Sequence, residues 1–454
     1  MSIPKPVTLV DSGVEWLGPI PSHWSVRRVR FVAELNPSKS EVSSLAPNTE
    51  VSFLPMEAIG EDGSHQLDQV RLLSDVLTGY TFFKDGDVAI AKITPCFENG
   101  KGAVMRNLRN GIGFGTTELI VARPRAAATT SSFLHWLFSS HAFRQAGEAF
   151  MYGAGGQKRV PDDFVRNFAT AFPPLPEQHQ VVAFLDRETA KIDALVEEQK
   201  RLIELLKEKR QAVISQAVTK GLDPSVPMKD SGVAWLGEVP AHWRVSSIKH
   251  IVSTPVTDGP HETPEFPDEG IPFVSAEAVS SGVLDFEKKR GYISVDDHKR
   301  YSLKYRPRRG DIYMVKSGAT TGVTAIVETD EDFNIWSPLA VIRCNESCDP
   351  YFVLNFMRSK NFLEAVTLNW SFGTQQNIGM GVIENLAIPV PPIADQRRIA
   401  AALSGVTKLL DALTKQAEDA MRLLKERRSA LISAAVTGKI DVRGLVPQPE
   451  VIAA

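Results

Sequence analysis

The chain has 454 residues, which is enough for two to four domains, and its 51 Lys and Arg against 54 Asp and Glu give a formal net charge of −3. This balance excludes a global basic excess, so any nucleic-acid site must be local. A hydrophobic content of 43% with 23% charged residues excludes a disordered chain. Without an apolar run of about 18 to 20 residues or a signal-peptide layout at the start, the sequence predicts a cytoplasmic protein.

The sequence elements follow the same order twice. A tryptophan-containing segment, Asp11–Trp24, precedes a long body and a helical stretch, and it recurs as Asp230–Trp243 with ten of fourteen positions identical. The stretches 206–219 and 424–437 also match at ten of fourteen positions, at nearly the same shift. Two such matches indicate a tandem repeat of whole structural units.

Each body is predicted to be mixed α/β. The runs 87–93 and 311–317, each preceded by a glycine turn, are typical of strands. The stretches 132–145 and 350–363 have the spacing of amphipathic helices. Because the bodies diverge in sequence between the matched segments, they are predicted to share a fold and to differ in surface.

Two helices of 43 residues are predicted over 177–219 and 395–437. The first has neither Gly nor Pro, Gly405 makes a break in the second possible, and Pro-rich turns precede both. Apolar residues follow a seven-residue frame, at Leu185, Ile192, Leu195, Leu202, Leu206 and Val213 in the first helix and Leu403, Leu410, Leu413, Ala417, Leu424 and Leu431 in the second. Such amphipathic helices cannot bury their stripe alone and are expected to pair.

The repeated Trp-Leu-Gly-x-x-Pro-x-His-Trp box, the two divergent bodies, and the helix starts at 174–178 and 392–396 together resemble a specificity subunit of a type I restriction-modification system. The resemblance spans essentially the whole chain. It implies an α+β (mixed α/β) protein with two globular target-recognition domains in a tandem pseudo-twofold repeat, separated by two long helices that form an antiparallel coiled coil. The implied boundaries are 1–173 for the first recognition domain, 174–220 for the first spacer helix, 221–390 for the linker and second recognition domain, 391–442 for the second spacer helix, and 443–454 for the tail.

The resemblance also implies a function. Each recognition domain would read one half of a bipartite, asymmetric site in double-stranded DNA, while the helices set the spacer and dock two methyltransferase subunits, which restriction or translocase subunits join. The chain itself would be noncatalytic, since it has neither an Asn/Asp-Pro-Pro-aromatic motif nor a GxxxxGK[ST] loop. S-adenosylmethionine, ATP and Mg²⁺ are accordingly expected in partner subunits and no cofactor in this chain. The alternative is a coiled-coil adaptor whose variable bodies bind protein partners.

Two pairs of loops are candidates for DNA contact, because phosphates and guanine edges attract Lys or Arg, whereas adenine edges pair with Asn or Gln. The first pair follows the predicted strands, where glycines would let the backbone approach the duplex. It supplies Lys92, Thr94 and Lys101 in the first body and Lys316, Thr320 and Thr321 in the second. The second pair consists of the small-residue loops 153–159 and 372–377, which supply Gln157, Lys158, Arg159, Gln375, Gln376 and Asn377.

A basic window, 288–309, is the remaining candidate in the second body. It holds nine Lys and Arg against two Asp, a net charge of +7 before His298, and it begins with Lys288, Lys289 and Arg290. Contact with DNA phosphates and a solvated surface hairpin are both consistent with this composition. The tryptophans of the repeated box are the same in both halves, so they are predicted to pack rather than to read bases.

Overall fold

The computed structural model describes residues 8–154, 156–372 and 376–445. These form two compact units, one made of residues up to 199 together with those from 419 onward, the other of residues 200–418. Both units combine strands and helices, which confirms the predicted mixed α/β class. The division between the units falls inside the two long helices.

The first unit consists of short strands and helices that precede one long helix. Its strands are β1 (Leu9–Asp11), β2 (Pro19–Pro21), β3 (Ser25–Arg28), β4 (Ala33–Leu35), β5 (Glu50–Leu54), β6 (Gln69–Leu72), β7 (Thr81–Lys84), β8 (Val88–Ala91), β9 (Gly102–Val104), β10 (Ile112–Gly115), β11 (Leu119–Pro124) and β12 (Ala169–Phe172). Its helices are α1 (Val29–Val32), α2 (Leu73–Val76), α3 (Ser131–Ser139), α4 (His141–Ala149) and α5 (Asp162–Asn167), followed by α6 (Leu175–Lys220).

Two four-stranded sheets form the centre of the first unit. One has the order β6-β5-β10-β7, with β5 and β10 parallel, and the other has the order β4-β11-β8-β9, with antiparallel neighbours. Leu54 and Phe83 of the first sheet share a buried cluster with Ala89 and Val121 of the second. The opposite face of the second sheet packs on α3, where Phe133 and Leu137 are fully buried.

The second unit repeats this plan. Its strands are β13 (Met228–Asp230), β14 (Glu238–Pro240), β15 (Arg244–Ser247), β16 (Thr257–Asp258), β17 (Ile271–Val274), β18 (Gly291–Ile293), β19 (Ile312–Val315), β20 (Thr324–Ile326), β21 (Asn334–Ile335), β22 (Leu339–Ile342), β23 (Ser371–Phe372), β24 (Gln376–Asn377) and β25 (Ala387–Val390). Its helices are α7 (Ala276–Val279), α8 (Val295–Ser302), α9 (Pro350–Met357), α10 (Lys360–Leu368) and α11 (Met380–Asn385), followed by α12 (Ile393–Val436). Its main sheets have the orders β16-β22-β19-β20 and β18-β17-β21.

A buried ion pair occupies the same place in each unit. Asp87 precedes β8 and receives two 2.7 Å hydrogen bonds from Arg123 at the end of β11. Asp311 precedes β19 and receives two 2.7 Å hydrogen bonds from Arg343, just after β22. Both carboxylates are almost fully buried, so each must be paired to be tolerated, and the pairs lock the strand that leads into the candidate DNA loop.

The long helices pair antiparallel within each unit. In the first unit the start of α6 shares a core with the end of α12, and Asp193 lies 2.9 Å from Arg428. In the second unit the end of α6 shares a core with the start of α12, and Arg210 lies 3.4 Å from Asp411. Helix α12 passes through Gly405 without a break.

The seven-residue frame is only partly buried. Leu185 and Ile192 of α6 are buried, as are Leu403, Leu410 and Ala417 of α12. Leu195, Leu202 and Leu413 belong to the same frame but are exposed. Pairing of two helices buries one face of each, and the remaining apolar residues face away from that contact.

The helices expected over 132–145 and 350–363 are each two helices. The break comes at Ser140 and at Ser359, where the backbone is extended and the serine hydroxyl accepts a hydrogen bond from the amide three residues later. Serine is a favoured N-cap because it satisfies an amide that has no partner inside the helix. The expectation of one continuous helix in each body is therefore wrong.

A buried glutamine explains the repeated Glu-Gln or Asp-Gln at the helix starts. The side-chain oxygen of Gln178 accepts hydrogen bonds from the hydroxyl of Thr129 and the amide of Thr130, and its amide group donates to two carbonyls. Gln396 accepts from the amide of Asp349 and likewise donates to two carbonyls. Each glutamine ties the start of a long helix to the loop before α3 or α9.

The tryptophan box packs on helix ends, as predicted. In the first unit the Trp24 indole donates a 3.1 Å hydrogen bond to Glu177, and Gly438, after α12, lies against Trp24 and Pro21 with φ +70°. In the second unit Gly221, after α6, lies against Trp243 with φ +80°. A side chain at Gly438 would clash with Pro21, so glycine is needed there for both space and backbone conformation.

Candidate nucleic-acid interface

In the first unit the two predicted loops lie side by side. The backbone amide of Thr94 donates to the carbonyl of Lys158 at 2.9 Å, and the amide of Val160 donates to the carbonyl of Lys92 at 2.8 Å. The Thr94 hydroxyl adds a 3.1 Å hydrogen bond to the Lys158 carbonyl. Lys92, Thr94, Gln157 and Lys158 are thus brought together beyond the end of β8.

The second unit repeats this backbone pattern. The amide of Gly318 donates to the carbonyl of Gln376 at 3.0 Å, and the amide of Ile378 donates to the carbonyl of Lys316 at 2.9 Å. Thr320 and Thr321 belong to the same turn, in which the Thr321 hydroxyl donates to the Gly318 carbonyl at 2.7 Å. Gln375 lies outside the described residues.

The side chains on this shared framework differ between the units. Gln157 and Lys158 are exposed in the first unit, and Gln376 and Asn377 are exposed in the second. All four carry donors or acceptors suited to base edges or phosphates. The two units therefore present different chemistry from equivalent backbone positions.

Arg159 is held by a carboxylate of its own unit. Its guanidinium donates to both oxygens of Glu118, with the shortest distance 2.7 Å. Hydrogen bonding to Arg159 lowers the pKa of Glu118, so the pair is charged at neutral pH. This bidentate contact fixes the loop and uses donors that a base or phosphate would require.

Lys92 and Lys101, the remaining candidate lysines of the first unit, differ in the contacts of their ammonium groups. The ammonium of Lys101 donates to the carbonyl of Met56 at 3.2 Å and is thereby tied to the turn after β5. Within the described residues, the ammonium of Lys92 has neither a hydrogen-bond partner nor an ion-pair partner. Lys92 is the lysine of this loop that the structure leaves available.

Lys316, the counterpart of Lys92, is instead part of a buried ion cluster. Its side chain is 13% exposed, and its ammonium lies 3.2 Å from the fully buried Asp258. Lys304 donates to the other oxygen of Asp258 at 2.5 Å. Burial alone would raise the pKa of Asp258, but the two ammonium groups hold it below its usual value.

Carboxylates inside and outside the window pair with many of its basic side chains. Arg300 pairs with Glu262 at 2.7 Å and with Asp297 at 2.6 Å. Arg306 pairs with Asp332, and Arg309 with Asp330, both at 2.7 Å. Lys288 lies 3.4 Å from Asp285. The charge of +7 counted along the window is therefore not the charge that this surface presents.

Lys289 and Arg290 contact aromatic rings instead. The Lys289 ammonium lies 4.9 Å from the ring centre of Tyr292 and donates to the Phe286 carbonyl at 3.3 Å. The exposed Arg290 guanidinium lies 4.2 Å from the ring centre of Trp336. Trp336 could not be identified from the sequence, because no motif or spacing links it to a position 46 residues earlier.

Within 8–154, 156–372 and 376–445, no group of three or more His, Cys, Asp or Glu is arranged to hold a metal ion. In the same ranges, no helix has the length and apolarity needed to cross a bilayer.

Comparison with known proteins shows that part of the chain is similar to a known domain family. Residues 241–421 match the family model of the type I restriction modification DNA specificity domain. The specificity subunit of the type I restriction enzyme EcoAI from Escherichia coli is 46% identical over 165 residues, which is 36% of this chain. The match spans 27% of the EcoAI subunit's own length.

Solved structures extend the likeness in fold. A chain from a structure concerned with complex assembly and conformational transition of the type I R-M system has a TM-score of 0.73 at 20% identity, covering 93% of this chain and 99% of that one. The HsdS subunit from Thermoanaerobacter tengcongensis has a TM-score of 0.57 at 19% identity, with coverage of 93% and 98%. Residues 241–421 are thus similar to the type I restriction modification DNA specificity domain, and the chain as a whole shares the fold of these solved structures.

Proposed function

We propose that the chain is the noncatalytic DNA-specificity subunit of a type I restriction-modification complex, in which each body reads one half of a bipartite, asymmetric site. One observation carries the proposal. The two units hold their candidate loops with the same backbone hydrogen bonds, yet present Gln157 and Lys158 in one and Gln376 and Asn377 in the other. A common framework with different side chains is what two readers of different half-sites require.

Exposed apolar residues on the long helices support docking of two methyltransferase subunits on these helices. Leu202 and Leu205 of α6 are exposed, as are Val406 and Leu409 of α12. Apolar residues repeated on solvent-facing helix surfaces are typical of protein interfaces. In this proposal restriction or translocase subunits complete the complex in the cytoplasm, and S-adenosylmethionine, ATP and Mg²⁺ act in the partner subunits.

The internal ion pairs suggest how DNA affinity is divided. Arg159, Arg306 and Arg309 are already paired with carboxylates, so these three arginines are less available to phosphates. Non-specific affinity for DNA depends on the number of phosphates neutralised. We therefore expect weak DNA binding by the chain alone, with the partner subunits supplying much of the electrostatic clamp.

The test is sequencing of methylated sites in a host with and without this chain. We expect one bipartite motif to disappear when the chain is removed. Salt-independent association with proteins, without any DNA preference, would instead support the adaptor alternative.

A second test addresses the spacer. Inserting one heptad into α6 and one into α12 lengthens each helix by roughly 10 Å. That is about three base pairs of B-DNA at roughly 3.4 Å each, so the spacer of the methylated site should lengthen while both half-sites stay the same. Altered half-sites would contradict the assignment of spacing to the helices.

A further inference from the structure

Arg290 is held in place without using the hydrogen-bond donors of its side chain. Its backbone amide donates to the carbonyl of Phe273 at 2.9 Å, and its guanidinium lies 4.2 Å from the ring centre of Trp336. Stacking on an aromatic face restricts an arginine but leaves the N–H groups at the guanidinium edge free. The guanidinium of Arg290 is therefore held in one orientation and keeps N–H groups free to donate hydrogen bonds to a ligand.

The contact lies at the end of the unit that carries the candidate DNA loops. Trp336 directly follows β21, and the next residues lead to Pro338, whose carbonyl accepts the amide of Lys316 at 2.8 Å. The amide of Ser337 donates to the carbonyl of Pro260 at 3.2 Å. Arg290, Trp336 and the loop after β19 are thus connected through a short run of backbone hydrogen bonds.

Arg290 differs from the other arginines of the basic window. Arg300, Arg306 and Arg309 each pair with a carboxylate. Among the described residues, Arg290 and Arg308 have no such partner, and Arg308 precedes β19, at the end of that strand opposite the loop. Arg290 is the carboxylate-free arginine of this window on the loop side.

We infer that Arg290 reads a guanine in the half-site of the second unit and that Trp336 is the residue that positions it. The inference rests on the proposed DNA-specificity function. A planar guanidinium with a free edge can donate two parallel hydrogen bonds to O6 and N7 of guanine, which is the commonest specific contact in the major groove. A fixed arginine loses less freedom on binding, so stacking on Trp336 favours this contact.

The experiment measures methylation of duplexes randomised in the second half-site, by the complex of this chain with its methyltransferase subunits. R290Q should relax preference at one guanine position by roughly 10- to 100-fold, with the first half-site unchanged. R290K keeps the charge but not the two-pronged geometry, so it should relax the same position while preserving the dependence of binding on salt. R308Q, the matched control, should leave base preference unchanged.

The variants also separate base reading from phosphate contact. If R290Q weakens all sequences equally, reduces the salt slope by about one and leaves base preference intact, the guanine assignment is overturned. If R290K behaves like the wild type at every position, the assignment is also overturned.

Trp336 is tested in the same library. W336L should relax the same position as R290Q, W336F should retain most of the preference, and W336L should add nothing in the R290Q background. Loss of thermal stability with unchanged base preference would reduce Trp336 to a packing role. A wild-type complex that methylates no bipartite site would refute the proposed function itself, whatever the Arg290 variants do.

Discussion

Lys316 and Lys92 occupy equivalent positions in the two units, and the structure predicts opposite consequences of removing their charges. The perturbation is Lys316→Met or Lys92→Met, since methionine keeps a long unbranched side chain and lacks the ammonium. Lys316 lies against buried Asp258, whereas the Lys92 ammonium has no hydrogen-bond or ion-pair partner in the described part of the chain.

The magnitude follows from the ion cluster. Breaking a buried pair by removing one partner costs about 3 to 5 kcal/mol. Lys304 remains 2.5 Å from Asp258 and retains part of that interaction, so we expect Lys316→Met to cost roughly 2 kcal/mol. For a unit of this size, that lowers the melting temperature by roughly 4 to 8 °C. Lys92→Met, a surface change, should alter stability by about 0.5 kcal/mol at most.

The assays are calorimetric unfolding of each variant and the salt dependence of DNA binding by the methyltransferase complex. Lys92→Met should reduce the salt slope by about 0.9, the value for one phosphate contact, at an unchanged melting temperature. Lys316→Met should lower the melting temperature of the second unit. If Lys316→Met unfolds like the wild type and reduces the salt slope, Lys316 contacts DNA directly and the reasoning fails.

Three further predictions address stability and assembly. Burial, together with nearby Arg428, lowers the pKa of His135 to about 4, below the unfolded value of about 6.5. Stability should therefore fall as pH drops from about 6.5 to 4, by up to roughly 3 kcal/mol, and His135→Gln should flatten this dependence in pH-dependent melting. Gln396→Met removes three hydrogen bonds of a buried side chain and should cost roughly 3 kcal/mol in thermal unfolding. Leu202→Glu with Leu409→Glu should reduce co-purification of methyltransferase subunits at least about tenfold without lowering the melting temperature.

Matched controls lie on the same element or on a neighbouring one. Exposed His141→Gln at the start of α4 and exposed Gln416→Met on α12 should both unfold like the wild type. Lys408→Glu introduces the same acid one position before Leu409 and should leave assembly intact. An unchanged pH profile for His135→Gln, wild-type melting of Gln396→Met, or full assembly of the leucine variant would each contradict its prediction.

The long helices were predictable from sequence because their signals are local. An unbroken stretch without Gly or Pro, flanked by Pro-rich turns and glycines, predicts a helix over 177–219, and the structure has one over Leu175–Lys220. The breaks at Ser140 and Ser359 were missed, because serine inside an amphipathic pattern does not reveal whether its hydroxyl caps a new helix. Periodicity likewise could not tell buried Leu410 from exposed Leu202.

The positions of the candidate loops could be predicted from the sequence, but the partners of their basic side chains could not. The equivalence of the loops after β8 and β19 follows from aligned glycines and lysines. The partners of the basic side chains do not, since Arg309 meets Asp330 and Arg159 meets Glu118 only after folding. A charge count along the chain sees neither carboxylate. The recurrence of Gln178 as Gln396 was a usable signal, and the structure gives its reason in the buried hydrogen bonds.

Within each unit, backbone amides and carbonyls join the two candidate loops, so the shape of these loops does not depend on their exposed side chains. The bonds from Val160 to Lys92 and from Ile378 to Lys316 involve no side-chain atom. Substitutions at exposed positions such as Lys158 or Gln376 can therefore change the chemistry presented to a ligand while the hydrogen bonds that shape the loops persist. Selection for new target sequences can act on these side chains at little cost in folding free energy, so each unit is free to diverge without waiting for compensating changes in its core.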